Sequence, residues 1–502
     1  MSTESDHRID LTEGDVFRPL MLLSVPIVLS QLLQVAYNLI DTYWVGQLGA
    51  AAVSTISFSW PIIFLMISLA SGFTVAGTTL VSQNEGAGDH AAVNHVAGQT
   101  IAFTLGGSLL VATFGYLLAP TLITLVGATP GSAVFAGAVT YTRTMFLGIY
   151  LMFGFFMFQA LLRGYGDTVT PMYLMAFGVA FNTVLDPLLI YGFTNNALFG
   201  LVGLGGLEAA LFGLTGFTGF GVQGAAIASL VARGTGAIIG LALLFSGRVG
   251  IEITPADLTP DLDTFRQIAR IGAPSSAEQS MRALGVTALT ALIAIAGPDA
   301  VAAFGIGNRL NSLVFLPAIG LAQGTATAVG QNLGAAKIER AKRSIVLSSE
   351  VIAAALVVLS VFAFLFARPV VAIFVSGPQA ETVIEIGASY LRIIGPTFLF
   401  LGVFRVINGA FKGSGNTGTS MGLSILSLWV FRLPLAYALL VWLDMGATGV
   451  WYAIAVLNIA SAVVAGAWFL RGTWTESVIE EHAEHSGSAQ CEGDCVSDHH
   501  VN

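Results

Sequence analysis

The chain has 502 residues, 55% of them hydrophobic and only 10% charged, with a mean hydropathy of +0.81. A soluble domain carries roughly 25% charged residues, so that class is excluded, and a net charge of −9 argues against nucleic-acid binding. What remains is an integral membrane protein built from helices, because the chain holds many runs of the ~20 apolar residues that span a bilayer. The short alternating segments of a membrane barrel are absent from the sequence.

In chain order, the polar, acidic start "MSTESDHRIDLTEGDVF" shows no cleavable signal and leads directly into the first apolar run. Twelve spans are predicted, at 17–46, 51–83, 93–118, 131–163, 168–193, 221–246, 264–297, 299–330, 343–367, 380–411, 416–443 and 447–470. With the N-terminus inside, the inner ends carry Arg163, Arg248, Arg266, Lys337, Arg340, Lys342, Arg343, Lys412 and Arg471. The outer ends carry little beyond Arg368. That asymmetry places both termini in the cytoplasm and the protein, multi-pass, in a plasma membrane. Lysine is nearly missing, and an acidic, lysine-poor exterior suits a salt-rich cytoplasm.

The chain repeats itself. Pro26 in "SVPIVLSQ" and Pro274 in "IGAPSSAEQ" are 248 residues apart, as are Gln83 in "LVSQNEGAGD" and Gln331 in "AVGQNLGAAK". Tyr141 answers Tyr390, Arg143 answers Arg392, and "RGYGDTVTPM" answers "KGSGNTGTSM". The expected fold is therefore all-α, with two six-helix lobes related by a pseudo-two-fold axis along the membrane normal. Such parallel repeats are a transporter architecture, with sites near the lobe interface. The expected organisation is a cytoplasmic N-terminal tail (1–16), a first lobe (17–247), a cytoplasmic linker (248–263), a second lobe (264–471) and a disordered tail (472–502). The first lobe carries an extra apolar, glycine-rich outer segment near 192–220, read as packing at the outer surface, with a re-entrant hairpin as one form.

Ionisable groups inside the spans mark the function. A charge in the bilayer costs more than about 2.5 kcal/mol on insertion scales. Asp41 lies about five residues before the outer end of the first span, roughly 7 Å at 1.5 Å per residue. Asp186 and Ser229 come to a similar level on the fifth and sixth spans, with Asn182 one turn from Asp186 on the same face. Two carboxylates, an amide and a hydroxyl suit a hard cation or a proton. Neighbouring carboxylates repel, and bound H⁺ or Na⁺ relieves that repulsion, so Asp41, Asn182, Asp186 and Ser229 are the candidate coupling site. The second lobe has Leu289 opposite Asp41, so coupling is expected in the first lobe alone. Pro26 removes a backbone hydrogen bond and marks a kink or hinge in the first span.

The segments "PIVLSQLLQVAYNLIDTYWVGQLG", "QNEGAGD", "FQALLRGYGDTVTPM" and "FNTVLDPLLIYG" resemble the multidrug and toxic compound extrusion (MATE) exporters, in their archaeal, DinF-like branch. The resemblance covers about residues 17–470. It implies a V-shaped pair of six-helix bundles and an antiporter exporting cationic or amphipathic organic compounds against entry of H⁺ or Na⁺. It also implies a cation site at Asp41, Asn182, Asp186 and Ser229, the last where the family usually has Thr. Gln34, Tyr37, Tyr141, Gln159 and Met175 match positions lining the first-lobe cavity. No cofactor beyond the coupling ion is implied; the expected partners are small organic substrates and membrane lipids, and a monomer suffices.

Other readings remain open at this stage. A lipid-linked precursor flippase of the same superfold would favour more spans and a strongly cationic central cavity. "GYGD" at 164–167 fits an intramembrane aspartyl protease, but the second copy reads "GSGN", and Asp and Asn share the job of capping the following helix. An enzyme is therefore not expected. Glu278 is expected to form an i,i+4 pair with Arg282. In the polar tail, His482, His485, Cys491 and Cys495, with His499 and His500, are weak candidates for a soft metal, and a plain acidic tail is the stronger reading.

Overall fold

The computed structural model describes residues 7–194, 196–375, 380–475 and 478–479, and it is almost wholly helical. Six long helices form the first half: α1 (Phe17–Gly46), α2 (Ala50–Gly86), α3 (His90–Leu125), α4 (Ala133–Leu147 and Ile149–Tyr165), α5 (Val169–Tyr191) and α6 (Val222–Phe245). Six more repeat them: α7 (Leu262–Ala294), α8 (Pro298–Gly334), α9 (Ile338–Leu365), α10 (Ala380–Gly413), α11 (Thr417–Trp442) and α12 (Gly446–Leu470). Among the described residues nine are individually long and apolar enough to cross a membrane. Two further spans are bent, α4 by 51° and α8 by 42°. α7 completes the twelve. It is 33 residues long but carries Asp263, Arg266, Arg270, Glu278 and Arg282, which lower its hydropathy.

Each half builds its own core. In the second, Phe304 stacks on Trp451 at 6.0 Å, and Tyr390 meets Trp451 edge-on at 4.9 Å. In the first, Trp44, Tyr141, Phe146 and Phe153 are buried with the aliphatic faces of α2, α4 and α6. Such aromatic pairs add about 0.5–1.5 kcal/mol each beyond the area they bury.

The two lobes are joined near the end that carries both termini. Gln83 of α2 donates through Nε2 to the Gly413 carbonyl at 3.1 Å, and Gln331 of α8 donates to the Gly164 carbonyl at 3.1 Å. These are the repeat-equivalent glutamines, each reaching a glycine in the last turn of the fourth helix of the opposite half. Their approach depends on absent side chains: a Cβ at Gly86 would stand 1.9 Å from the Gln331 carbonyl oxygen, and one at Gly334 1.8 Å from that of Gln83. Ser276 of α7 adds a bond to the Leu69 carbonyl at 2.8 Å. The hydrogen bonds between lobes among the described residues fall in the halves of these helices nearer the termini, so the lobes part toward the opposite side.

Segments expected to be free tails reinforce this closed end. Leu11 is buried, and Arg340 donates to the carbonyls of Leu11, Glu13, Gly14 and Asp15. At the other terminus Trp474 is only 1% exposed and stacks on Phe469, while the Val478 amide donates to Gln83 Oε1 at 2.9 Å. The expectation that the whole of 472–502 is a free tail therefore fails at its first residues, because one large aromatic among polar neighbours finds an apolar slot. Truncation after Arg471 should lower stability by about 3–5 kcal/mol, the usual cost of losing a buried Trp. Truncation after Ile479 keeps Trp474 and Val478 and serves as the reference. Thermal unfolding of the two truncations in detergent compares them, and equal melting temperatures would refute the assignment.

The segment near 192–220 forms two short helices, Ala197–Leu201 and Gly205–Thr215. Asn196 ties it to α5 through bonds from Nδ2 to the carbonyls of Pro187 and Gly192, both 2.8 Å. Phe193, Phe199, Phe217 and Phe220 pack edge-on around it. The segment sits at the end of α5 remote from the termini.

Candidate coupling and substrate site

Three helices of the first half each present two polar residues spaced four apart, one helical turn. These are Tyr37 and Asp41 on α1, Asn182 and Asp186 on α5, and Ser229 and Arg233 on α6. Asn182 Nδ2 donates to Asp186 Oδ2 at 2.7 Å. The Tyr37 hydroxyl lies 3.0 Å from Asn182 Oδ1 and 2.7 Å from Ser229 Oγ, so it links α5 to α6. Asp186, Asn182, Tyr37 and Ser229 are all buried. Asp41 lies within electrostatic range of both Asp186 and Arg233. Two carboxylate oxygens, Asp41 Oδ1 and Asp186 Oδ1, are buried and accept no hydrogen bond among the described residues.

A buried carboxylate oxygen without a donor is costly. It becomes favourable when it holds a proton or a hard cation, and neutral oxygens from Asn182, Ser229 and Tyr37 stand close by. The four residues expected to form the coupling site are thus brought together. Tyr37, expected on the cavity wall, also belongs to the hydrogen-bonded cluster.

Sequence reasoning missed Arg233. Its guanidinium lies 4.8 Å from the centre of the Tyr37 ring and 5.3 Å from that of Phe156, and Nη2 donates to Gln34 Oε1 at 3.0 Å. Its Nη1 is buried with no hydrogen-bond partner. The signal was available: an arginine inside a span, one turn from Ser229 on the same face, is a functional candidate by default.

Below these residues is a cavity of about 380 Å³, walled by Gln34, Tyr37, Asp41, Tyr141, Gln159, Met175 and Arg233 among others. All five residues expected to line it do so. Its floor is closed across the lobes by Arg163, which donates to Gln323 Oε1 of α8 at 2.6 Å. Aromatic and methionine walls adapt to varied amphipathic ligands. Pro26 lies on the same helix, four turns from Asp41 and buried. The carbonyl that Pro26 leaves without its helical donor is that of Leu22, the Ser30 hydroxyl donates to the Pro26 carbonyl itself at 2.9 Å, and α1 continues unbroken from Phe17 to Gly46.

The "GYGD" motif serves the backbone. Gly166 ends α4 in the left-handed region with φ +103°, which a side chain rarely adopts. Asp167 Oδ1 then accepts from the amides of Val169 at 2.9 Å and Thr170 at 3.0 Å. In the second copy Asn416 takes the same position but receives the Thr419 hydroxyl at 2.8 Å instead. Since an Asn side-chain oxygen can accept the same two amides, Asp167→Asn should leave transport within about twofold and stability within about 0.5 kcal/mol, as for most substitutions that keep their contacts. Efflux assays and melting curves check this; a dead variant would return the motif to consideration as chemistry.

The expected Glu278–Arg282 pair is not formed. Glu278 Oε2 is held by Lys412 at 3.0 Å and by Ser420 at 2.9 Å, and Oε1 by Ser424 at 3.0 Å. An ammonium from α10 supplies what the same helix was expected to give, because α10 and α11 pack directly against α7. His482, His485, Cys491 and Cys495 lie outside the described residues; among the described ones no group of three or more His, Cys, Asp or Glu is placed to hold a metal.

The model of the MatE family matches this chain twice, at residues 26–188 and 274–438, starting at the two repeat prolines. The chain belongs to the MATE family. Similar relatives include a probable multidrug resistance protein, YpnP, of Bacillus subtilis, 28% identical over 93% of this chain and 97% of its own. A probable multidrug resistance protein, NorM, of Thermotoga maritima is 27% identical over 93% of this chain and 94% of its own. An FAD transporter of Shewanella oneidensis is 27% identical over 91% and 95%. A solved structure described as the outward-facing conformation of a multidrug resistance MATE family transporter superposes with a TM-score of 0.81 at 26% identity, covering 93% of this chain and 98% of that one. This MATE protein is therefore a multi-pass, twelve-helix, two-lobed member of a family of compound exporters, which supports a transporter rather than an enzyme.

Proposed function

We propose that this MATE protein is a secondary antiporter that exports organic compounds, cationic or amphipathic, in exchange for entry of H⁺ or Na⁺ at Asp41, Asn182, Asp186 and Ser229. The observation that carries the reading is the pair of buried, undonated oxygens on Asp41 and Asp186 at the mouth of an amphipathic cavity. Ion binding there changes the charge facing Arg233. With both carboxylates ionised, Arg233 has a counter-charge and the cavity is polar; once an ion is bound, the polar layer is neutralised and an occluded, drier arrangement costs less. Alternate access then follows from rocking of the two lobes about the closed end.

In this reading both termini are cytoplasmic, the membrane is the plasma membrane, the protein acts as a monomer, and no cofactor is needed. The site accepts either ion competitively, since one carboxylate suffices for a proton and the neutral oxygens complete a shell for Na⁺. Arg163 and Arg233 in the cavity support a second reading, in which the exported compound bears an anionic group, as the name of the FAD transporter indicates for that relative. Efflux of a fluorescent cation and of FAD from vesicles, with pH and sodium gradients imposed separately, distinguishes these readings. Efflux of neither compound under either gradient would end the antiporter proposal.

A further inference from the structure

The second lobe contains a group of cations that the coupling site does not use. Arg282 on α7, Arg405 on α10 and Arg432 on α11 lie eight residues or more from the ends of their helices, within the spanning region. Arg282, Arg405 and Arg432 repel one another electrostatically, and Glu278 is the carboxylate that faces Arg282 and Arg405. Glu278 is already neutralised by Lys412 and held by two serine hydroxyls. Four cations, Lys412 among them, thus share one carboxylate, and Arg432 faces none among the described residues.

Their local geometry is built rather than incidental. Trp429 Nε1 donates to the Met281 carbonyl at 2.9 Å, and Gly285 leaves room for Leu428, so α7 and α11 touch beside Arg282. α11 widens into a π-helical turn over Leu426–Arg432, a feature that clusters at functional sites. Arg432 is aimed by a relay: Nη2 donates to Asn458 Oδ1 at 2.9 Å, and Asn458 Nδ2 donates to Thr397 Oγ1 at 3.0 Å. That leaves Arg432 Nε buried with no acceptor. Arg405 lies over the Phe315 ring at 6.0 Å, and among the described residues neither it nor Arg282 donates a hydrogen bond to a protein group. Arg282 is exposed on α7.

Uncompensated charge in the bilayer interior is expensive. Planar guanidinium forks bind carboxylate and phosphate oxygens in pairs, while the aromatic faces of Phe315 and Trp429 offer apolar contact. We infer that Arg282, Arg405 and Arg432 form an anion-binding site in the second lobe for an amphipathic organic molecule bearing a phosphate or carboxylate group. The anion arrives as a soluble compound or as a lipid headgroup from the bilayer; both present the same oxygens.

The test uses the full chain purified in detergent, with no ion gradient, so its outcome is separate from that of the antiporter proposal. The probes are 4-methylumbelliferyl phosphate and its neutral parent, 4-methylumbelliferone, followed by fluorescence. The phosphate should bind at least about tenfold more tightly than the parent. Arg405→Gln and Arg432→Gln should each weaken it fivefold or more, while Arg405→Lys retains part of the affinity. Size-exclusion profiles and melting curves confirm that each variant is folded, and Arg282→Gln, at an accessible position, gives an independent variant. Competition by phosphatidylglycerol but not by soluble AMP would assign the site to a lipid headgroup, and the reverse to a soluble anion. Equal binding of phosphate and parent, no binding of the phosphate, or unchanged affinity in the folded arginine variants would overturn the inference.

Discussion

Asp41→Asn abolishes ion-coupled efflux while leaving the protein folded. The substitution keeps shape and removes charge, and Asp41 Oδ1 accepts no hydrogen bond that an amide would break. The loss should reach the upper part of about 5–150-fold, the span of ordinary coupling free energies. Asp186→Asn should behave alike, because an amide oxygen can still accept from Asn182 Nδ2. Gradient-driven efflux in vesicles, alongside a melting curve, measures both. Asn182→Leu and Ser229→Ala separate the ions: each removes a neutral oxygen while sparing the acids, so each weakens sodium-driven efflux more than proton-driven efflux. Normal coupled transport by Asp41→Asn sinks the site assignment.

Gly86→Val and Gly334→Val should drive the molecule out of the conformation described here. In each the new Cβ meets a backbone carbonyl of the opposite lobe, which cannot turn aside as a side chain can. Overpacking of this kind costs about 1–3 kcal/mol, enough to shift a two-state population by about 5- to 150-fold. Spin labels at Gln47→Cys and Ile295→Cys, repeat-equivalent positions at the far ends of α1 and α7, read the opening directly by pulsed dipolar spectroscopy. The wide-distance population should fall, and transport with it, since a cycle needs both states. Gly86→Ala should act in the same direction with smaller effect. An unchanged distance distribution would show that this contact does not hold the closed end together.

How much of this was legible beforehand differs from residue to residue. The i,i+4 spacing of Asn182 and Asp186 put them on one face, where the structure forms a bond, because a helix fixes which side chains stack within it. Glu278 and Arg282 have the same spacing and do not pair: a stronger donor, Lys412, arrives from a helix 130 residues away, and helix periodicity is blind to it. Trp474 read as part of a polar tail for a similar reason, since its slot against Phe469 exists only once α12 has packed. Arg233 was visible as an intramembrane charge, yet its partners, Tyr37, Gln34 and Asp41, lie on α1, nearly 200 residues earlier.

By itself the sequence determined the solvent, the helical class, the twelve spans and the internal duplication. Those follow from composition and from periodicities that are local or strictly repeated. It also placed two acids at one depth, because rise per residue is constant along a helix. Only the tertiary structure decided which oxygens go unsatisfied, which arginines face carboxylates and which stand without them, and which end of the molecule is closed. Those outcomes depend on contacts between helices far apart in the chain, where a single Cβ at Gly86 or Gly334 decides whether two lobes can touch.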